Sequence, residues 1–262
     1  MAFGVNASAK VSAQLPRTGK MTGEDRATLQ RVPSRRSARK PKHPRRLSAL
    51  PARLSRELFA DAEVMRLRAG QVLFRAGDSG DGCYRVEDGL VKRTMVSKSG
   101  AERILAFHGP GGIVGELSVI DGLPRSVSVV AVRDSALSFV GRAAFETFAE
   151  KHPELCPSLL RLVTECVRER DKMLAAGSFL SLKGRIAETL LELAEHFGQE
   201  VGPGRIVIRQ KIRQRDIAAM AGTARENVTR ALNDWQRCKL VSRVSGYYCL
   251  ENKALLEHQA KL

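Results

Sequence analysis

From about residue 62 the chain follows a period of two. Short apolar runs at 64–67, 71–74, 83–86, 90–96, 102–107, 126–132 and 135–140 alternate with breaks rich in Gly and Asp. Runs of this kind read as strands, since branched and aromatic side chains suit a pleated, half-buried surface. Asp88-Gly89 gives the strongest turn signal, because a two-residue primed turn needs positive φ at its centre, and a hairpin is expected there. About eight short strands at this spacing predict a closed or double-layered β structure, a barrel or jelly roll.

The period then lengthens to that of helices. A short helix is expected over 145–150 and a long one from Pro153 to about residue 180, with Pro153 and Pro157 tolerable only near its start. Leu159, Val163, Cys166, Arg170, Met173, Gly177 and Leu180 are spaced alternately four and three apart. That is an a/d seam, readable as a two-stranded dimer helix with Arg170 as a polar interruption, or as packing against the chain's own β domain. Residues 184–198 form an amphipathic helix, and Gly202-Pro203-Gly204 breaks the chain before a short strand, RIVIRQ. Helices follow at about 212–220 and 224–237, separated by Gly222, with Ile217, Met220, Val228, Leu232 and Trp235 placed to pack them together. A hairpin around Ser245-Gly246 completes a winged helix-turn-helix.

Charge changes the picture at one end. The 262 residues carry a net +16, and residues 1–50 hold twelve Lys/Arg against two acids. Such a balance favours a polyanionic partner. The segment RVPSRRSARKPKHPRR is poor in apolar residues and punctuated by Pro, so residues 1–48 are read as a disordered basic tail. It is an electrostatic arm for DNA, or a solvated tail, or the product of a translation start placed too early, with Met21 as one alternative. Neither Arg35-Arg36 nor Arg45-Arg46 precedes the hydrophobic stretch of an export signal, and no run of 18 apolar residues offers a membrane span. Five scattered cysteines argue against a disulfide framework and fit a reducing cytosol; no Cys/His spacing suits a metal. An enzyme is not expected: GPGGIVGE lacks the Gly-Lys-Ser/Thr of a P-loop, and no GxSxG elbow occurs.

Two constellations carry chemistry. The first is GELSVIDGLPRS, residues 115–126. Gly115 permits close backbone approach, and Glu116 and Leu117 begin a short helix whose free N–H groups face an anion. Arg125 and Ser126 supply charge-assisted and hydroxyl donors to a phosphate, while Glu116 accepts from a sugar hydroxyl. A phosphate and a sugar hydroxyl held together describe a nucleotide; the bland alternative is a surface turn with a solvated ion pair. The second is ARENVTR, at the start of the second helix of the helix-turn-helix. There Arg225 and Arg230 suit guanine O6/N7, and Glu226 suits cytosine N4. Gln214, Thr223, Asn227 and Lys239 are better assigned to phosphates, and the bland alternative is a solvated i,i+4 pair of Glu226 with Arg230.

GELSVIDGLPRS resembles the phosphate-binding cassette of cyclic-nucleotide-binding domains, and with the later helices the chain looks like the CRP/FNR family of bacterial transcription regulators over roughly residues 60–250. The resemblance implies an α+β fold: a β-roll over 49–152, a dimerisation helix over 153–181 and a winged helix-turn-helix over 182–262. It further implies a cytoplasmic homodimer that binds cyclic AMP or cyclic GMP as allosteric ligand, without a metal. Double-stranded DNA with inverted TGTGA-type half-sites and RNA polymerase are the implied partners, with activation the implied outcome. Glu116 would hold the ribose 2′-hydroxyl, Arg125 and Ser126 the cyclic phosphate, and backbone near Gly115 and Leu117 would complete the cradle. Where the family's cyclic-AMP receptors read adenine with Thr-Ser, this chain has Arg170-Asp171, which suits guanine as well. No cysteine precedes residue 83, so the family's iron–sulfur sensor is not expected, and His108 reads as structural rather than as a haem ligand. The alternatives are a ligand-independent regulator of the same fold, or a regulatory subunit acting on a protein partner.

Overall fold

The alternating segments pair as an antiparallel sheet. In the computed structural model, which describes residues 50–261, β1 (Glu63–Leu67), β2 (Val72–Phe74), β3 (Gly82–Val96), β4 (Glu102–His108), β5 (Ile113–Val114) and β6 (Ser128–Gly141) form one six-stranded sheet. Its order is β1-β6-β3-β4, with β2 also on β6 and β5 on β3. The basic segment expected over 1–48 lies outside the described residues.

The hairpin expected at Asp88-Gly89 is not formed. Instead β3 runs straight through, and the register against β6 slips on either side of Asp88 and Leu90. Gly89 uses its positive φ, 102°, for a bulge; a Cβ there would fall 2.2 Å from Ser135 Oγ. That hydroxyl accepts from Leu90 N at 3.0 Å, so the kink is tied across the sheet. The two runs after residue 125 likewise fuse into β6, and about eight expected strands become six, of which β3 and β6 are long.

Alternation along β3 sorts its side chains by destination. Val91 joins an inner cluster with Val86, Val114, Val129 and Leu137. Leu90 faces the other way, into the core of the C-terminal domain with Ile104, Phe107 and Ile217. Lys92 follows Leu90, and Arg93 follows Val91. A third cluster packs α1 (Ala52–Leu58) and α3 (Arg142–Lys151), through Leu54, Leu58 and Phe145, on Cys83 and Val140.

The long helix, α4 (Leu155–Phe179), starts where expected, with Pro157 in its first turn. Its expected seam is only half right. Leu159, Val163, Cys166, Met173 and Leu180 are half-buried, whereas Leu160, Val167 and Leu174 stand 66%, 50% and 72% exposed at intervals of seven. Arg170 and Gly177 flank the exposed stripe, while the half-buried positions turn towards the chain's own body.

The C-terminal domain is α5 (Leu182–Phe197), β7 (Gly198–Gly202), β8 (Arg205–Ile208), α6 (Gln214–Ala221), α7 (Arg225–Arg237), β9 (Val241–Val244), β10 (Tyr247–Leu250) and α8 (Lys253–Gln259). The wing is wider than the expected hairpin: a four-stranded sheet ordered β7-β8-β10-β9. Ser245 and Gly246 make its tip, both at positive φ. Ile217, Met220, Val228, Leu232 and Trp235 pack α6 against α7, as their spacing predicts. The two domains meet at charge as well as at apolar surface. Lys92 Nζ lies 2.6 Å from Glu102 and 3.7 Å from Asp216 on α6, and the Lys92 and Asp216 side chains are both buried.

His108, at the end of β4, is fully buried, and neither ring nitrogen has a hydrogen-bond partner among the described residues. Burial pushes its pKa down to about 3, with Arg93 and His196 acting in the same direction. The unfolded chain therefore takes up a proton below about pH 6.5 that the native state refuses, and stability falls as pH falls through that window. Urea denaturation between pH 7 and pH 4 should show that loss, at a slope approaching ~1.4 kcal/mol per pH unit. His108→Leu should remove this component; an unaltered pH dependence in the variant would contradict the assignment.

Candidate functional site

Five of the sequence-predicted residues come together around one narrow cavity. Gly115, Glu116, Leu117, Arg125 and Ser126 line it, together with Phe74, Arg93 and Val129. Gly115 sits at φ 81° as the N-cap of a short helix, α2 (Glu116–Asp121). A Cβ at Gly115 would lie 2.5 Å from Arg125 Nη1, so glycine is required both by the backbone and by the close approach.

Arg125 shapes the loop before any ligand is considered. Its Nη1 donates to Gly115 O at 2.8 Å and its Nη2 to Asp81 Oδ1 at 2.8 Å. The guanidinium lies 4.4 Å over the Phe74 ring, and the side chain is 1% exposed against 66% for Asp81. Backbone bonds from Arg125 N to Asp78 O and from Gly77 N to Arg125 O close the same loop. Arg142 braces α2 from behind through the carbonyls of Gly80 and Ser118. A buried cation carrying only one exposed carboxylate is primed for a second anion.

Glu116 is also buried, and its Oε1 has no hydrogen-bond partner among the described residues. Leaving a buried acceptor unmet costs about 1–3 kcal/mol, so the site is incomplete without a donor from elsewhere. Arg93 Nη1 stands 3.9 Å from that oxygen, an ion-pair distance but not a hydrogen bond. Sequence reasoning missed Arg93, because in LVKRTMV nothing marks which of Lys92 and Arg93 turns inward. Arg170 and Asp171 are exposed on α4 and do not line this cavity. Cys166 of α4 instead meets Arg93, its Sγ 3.9 Å from Nη1.

The second constellation is solvent-facing. Arg225, Glu226 and Arg230 are exposed on α7, and Lys239 follows it at φ 54°. Asn227 Nδ2 donates to Thr223 Oγ1 at 3.0 Å, and Gln214 accepts from Thr229 Oγ1 at 2.9 Å. These two bonds fix the α6–α7 turn, so Thr223, Asn227 and Gln214 serve the turn's geometry in this state. Gly222 supplies the left-handed residue at the turn, φ 62°, and Arg103 of β4 packs against it. Exposed Arg213, the N-cap of α6, and Arg215 in its first turn extend the basic face; the sequence analysis did not single them out.

None of the five cysteines forms a disulfide among the described residues, and burial pushes Cys83 and Cys249 up to about 12. No metal-ligating cluster occurs among the described residues, and no described helix is long and apolar enough to cross a membrane.

A β-roll with a buried Arg/Glu cradle, joined by a long helix to a winged helix-turn-helix, defines a two-domain sensor–regulator. Comparison agrees: residues 64–152 match the cyclic nucleotide-binding domain family, and residues 184–259 the Crp-like helix-turn-helix domain family. The chain is 32% identical over 187 residues to the CRP-like cAMP-activated global transcriptional regulator of Mycobacterium tuberculosis, covering 71% of this chain and 80% of the relative. It is 35% identical over 191 residues to the cyclic AMP receptor protein of Thermus thermophilus, covering 73% and 85%. A solved CRP/FNR-family transcriptional regulator from Thermus thermophilus superposes with TM-score 0.62 at 27% identity, covering 76% of this chain and 99% of that one. The chain belongs to the CRP/FNR family of transcription regulators, which are not enzymes.

The cradle makes a sharp prediction. Gly115→Ala should cost about 1–2 kcal/mol from the left-handed backbone alone and displace Arg125. Arg125→Ala should remove nucleotide binding in calorimetry while the circular dichroism spectrum stays folded. Retained binding by a folded Arg125→Ala protein would show that no anion is held there.

Proposed function

We propose that this protein is a homodimeric, DNA-binding transcription regulator of the cytoplasm, controlled by a cyclic purine nucleotide. The observation that carries the reading is a buried cradle with an unmet acceptor, Glu116 Oε1, in the same chain as an exposed Arg225/Glu226/Arg230 face. Two relatives are named for cyclic AMP, which supports the ligand class.

The cradle fits such a ligand. Arg125 and Ser126 would take the cyclic phosphate, with Gly115 and Leu117 offering backbone, and Glu116 would accept from a ribose hydroxyl. Lys92 and Arg93 are neighbours on β3, one facing Asp216 of α6 and the other Glu116 of the cradle. A ligand that shifts the second contact therefore acts on the strand that holds the first. The exposed stripe Leu160, Val167 and Leu174 supports a dimer through α4, in which Arg170 and Asp171 lie beside the seam and would meet the partner's cradle or helix.

On DNA, Arg225, Glu226 and Arg230 would read bases of TGTGA-type half-sites. Gln214, Thr223, Asn227, Lys239, Arg213 and Arg215 would meet phosphates. RNA polymerase is the expected partner on the promoter, with activation the expected outcome. Binding-site selection from random duplexes tests this. The expected product is an inverted repeat whose half-site centres lie one DNA turn apart, ~34–36 Å. Glu226→Ala should relax one base pair per half-site, worth about 1–3 kcal/mol of discrimination, without weakening random-DNA binding. Single unpaired half-sites, or an unaltered base preference in the variant, would overturn the reading.

A further inference from the structure

The nucleotide reading leaves one buried charge without a task. Arg93 is 8% exposed in the middle of the sheet, its neighbours across the strands being Val129 and Ala106. Burying a guanidinium is costly unless its donors are met. Two contacts are made by it among the described residues: Glu116 Oε1 and Cys166 Sγ, both at 3.9 Å. A thiol is a weak acceptor, and the carboxylate is beyond hydrogen-bond range. Arg93 lines the cavity, and Nη1 of its guanidinium fork finds there only a distant carboxylate and a thiol.

The order of residues around the cavity gives the fork its partner. Arg125 stands by Gly115, Glu116 comes next, and Arg93 lies beyond Glu116, under Cys166 of α4. A cyclic nucleotide with its phosphate on Arg125 and its ribose on Glu116 carries its base onward, away from Arg125. Arg93 is then the charged side chain in the base's path. The fork donates only, so it matches two adjacent acceptors and rejects a donor. Guanine presents O6 and N7, both acceptors, on one edge; adenine presents N7 beside the donor N6 amino group.

We propose that Arg93 reads the base of the bound nucleotide and selects a 6-oxopurine over a 6-aminopurine. The inference rests on the nucleotide reading above and deepens it. On binding, the base edge replaces the Cys166 thiol as acceptor for the fork, and Arg93 keeps its ion-pair distance to Glu116. The 2-amino group of guanine plays no part in this recognition.

Isothermal calorimetry on the full-length protein tests it with three probes: cyclic GMP, cyclic IMP and cyclic AMP. Cyclic IMP keeps O6 and N7 but lacks the 2-amino group. Wild type should bind cyclic GMP and cyclic IMP at least about tenfold more tightly than cyclic AMP, the lower part of the range for one bidentate base contact. Arg93→Leu should collapse that ratio towards one. Arg93→Gln, whose amide both donates and accepts, matches N6 and N7 of adenine and should turn the preference to cyclic AMP. Thermal denaturation of each variant without ligand reports whether the sheet is intact. Equal weakening of all three nucleotides in both variants would mean that Arg93 only neutralises Glu116, and would overturn the proposal. A preference for cyclic GMP that cyclic IMP does not share would overturn it too, by assigning selectivity to the 2-amino group. Absence of binding by all three probes would instead sink the nucleotide reading itself.

Discussion

The antiparallel pairing of β3 with β6 is the constraint on which the rest depends. Because side chains alternate, one register decides four destinations at once. Val91 and Arg93 turn into the roll, while Leu90 and Lys92 turn towards the helix-turn-helix domain. The bulge at Gly89, held by Ser135, sets the phase of everything after it. A slip of one residue would put Lys92 into the cradle and Arg93 against Asp216. Each buried carboxylate would still face a cation, but one of the wrong reach and shape, since a guanidinium fork and an ammonium are not interchangeable.

Buried charge is used unevenly across the molecule. Lys92 is well paired, with Glu102 at 2.6 Å and Asp216 behind it, and so joins the domains. Arg125 is half paired, through Asp81 and the Gly115 carbonyl, and so shapes its loop with capacity to spare. Glu116, whose Oε1 has no hydrogen-bond partner among the described residues, and Arg93, 3.9 Å from that oxygen, meet at the cavity. The gradient runs from paired to unmet charge, and it follows from burial and geometry. His108 is a neighbour of a different kind: buried and without a hydrogen-bond partner among the described residues, it should make the roll sensitive to acid.

Much of this was legible in the residue pattern, for local reasons. GELSVIDGLPRS is contiguous, so its glycine, carboxylate and arginine were readable together, and the α6–α7 pair announced itself through Gly222 and its apolar spacing. Where reasoning failed, a distant partner decided. Asp88-Gly89 carries a hairpin's dipeptide, but Ser135 across the sheet makes it a bulge. The seam on α4 was rotated because Cys166 and Met173 are as apolar as Val167 and Leu174, and only packing tells them apart. Arg93 was invisible because strand phase after a bulge cannot be counted from the sequence. Arg170 and Asp171 were placed at the base site by counting along a helix, and within one chain they face outward.

A nucleotide in the cradle and DNA on α7 should be linked through one protein. Fluorescence anisotropy of a labelled inverted-repeat duplex, titrated with wild-type protein at fixed salt, measures that linkage directly. Saturating cyclic purine nucleotide should alter the dissociation constant by roughly 5- to 150-fold, the usual span of coupling between two sites. The same dissociation constant with and without saturating nucleotide would contradict the account.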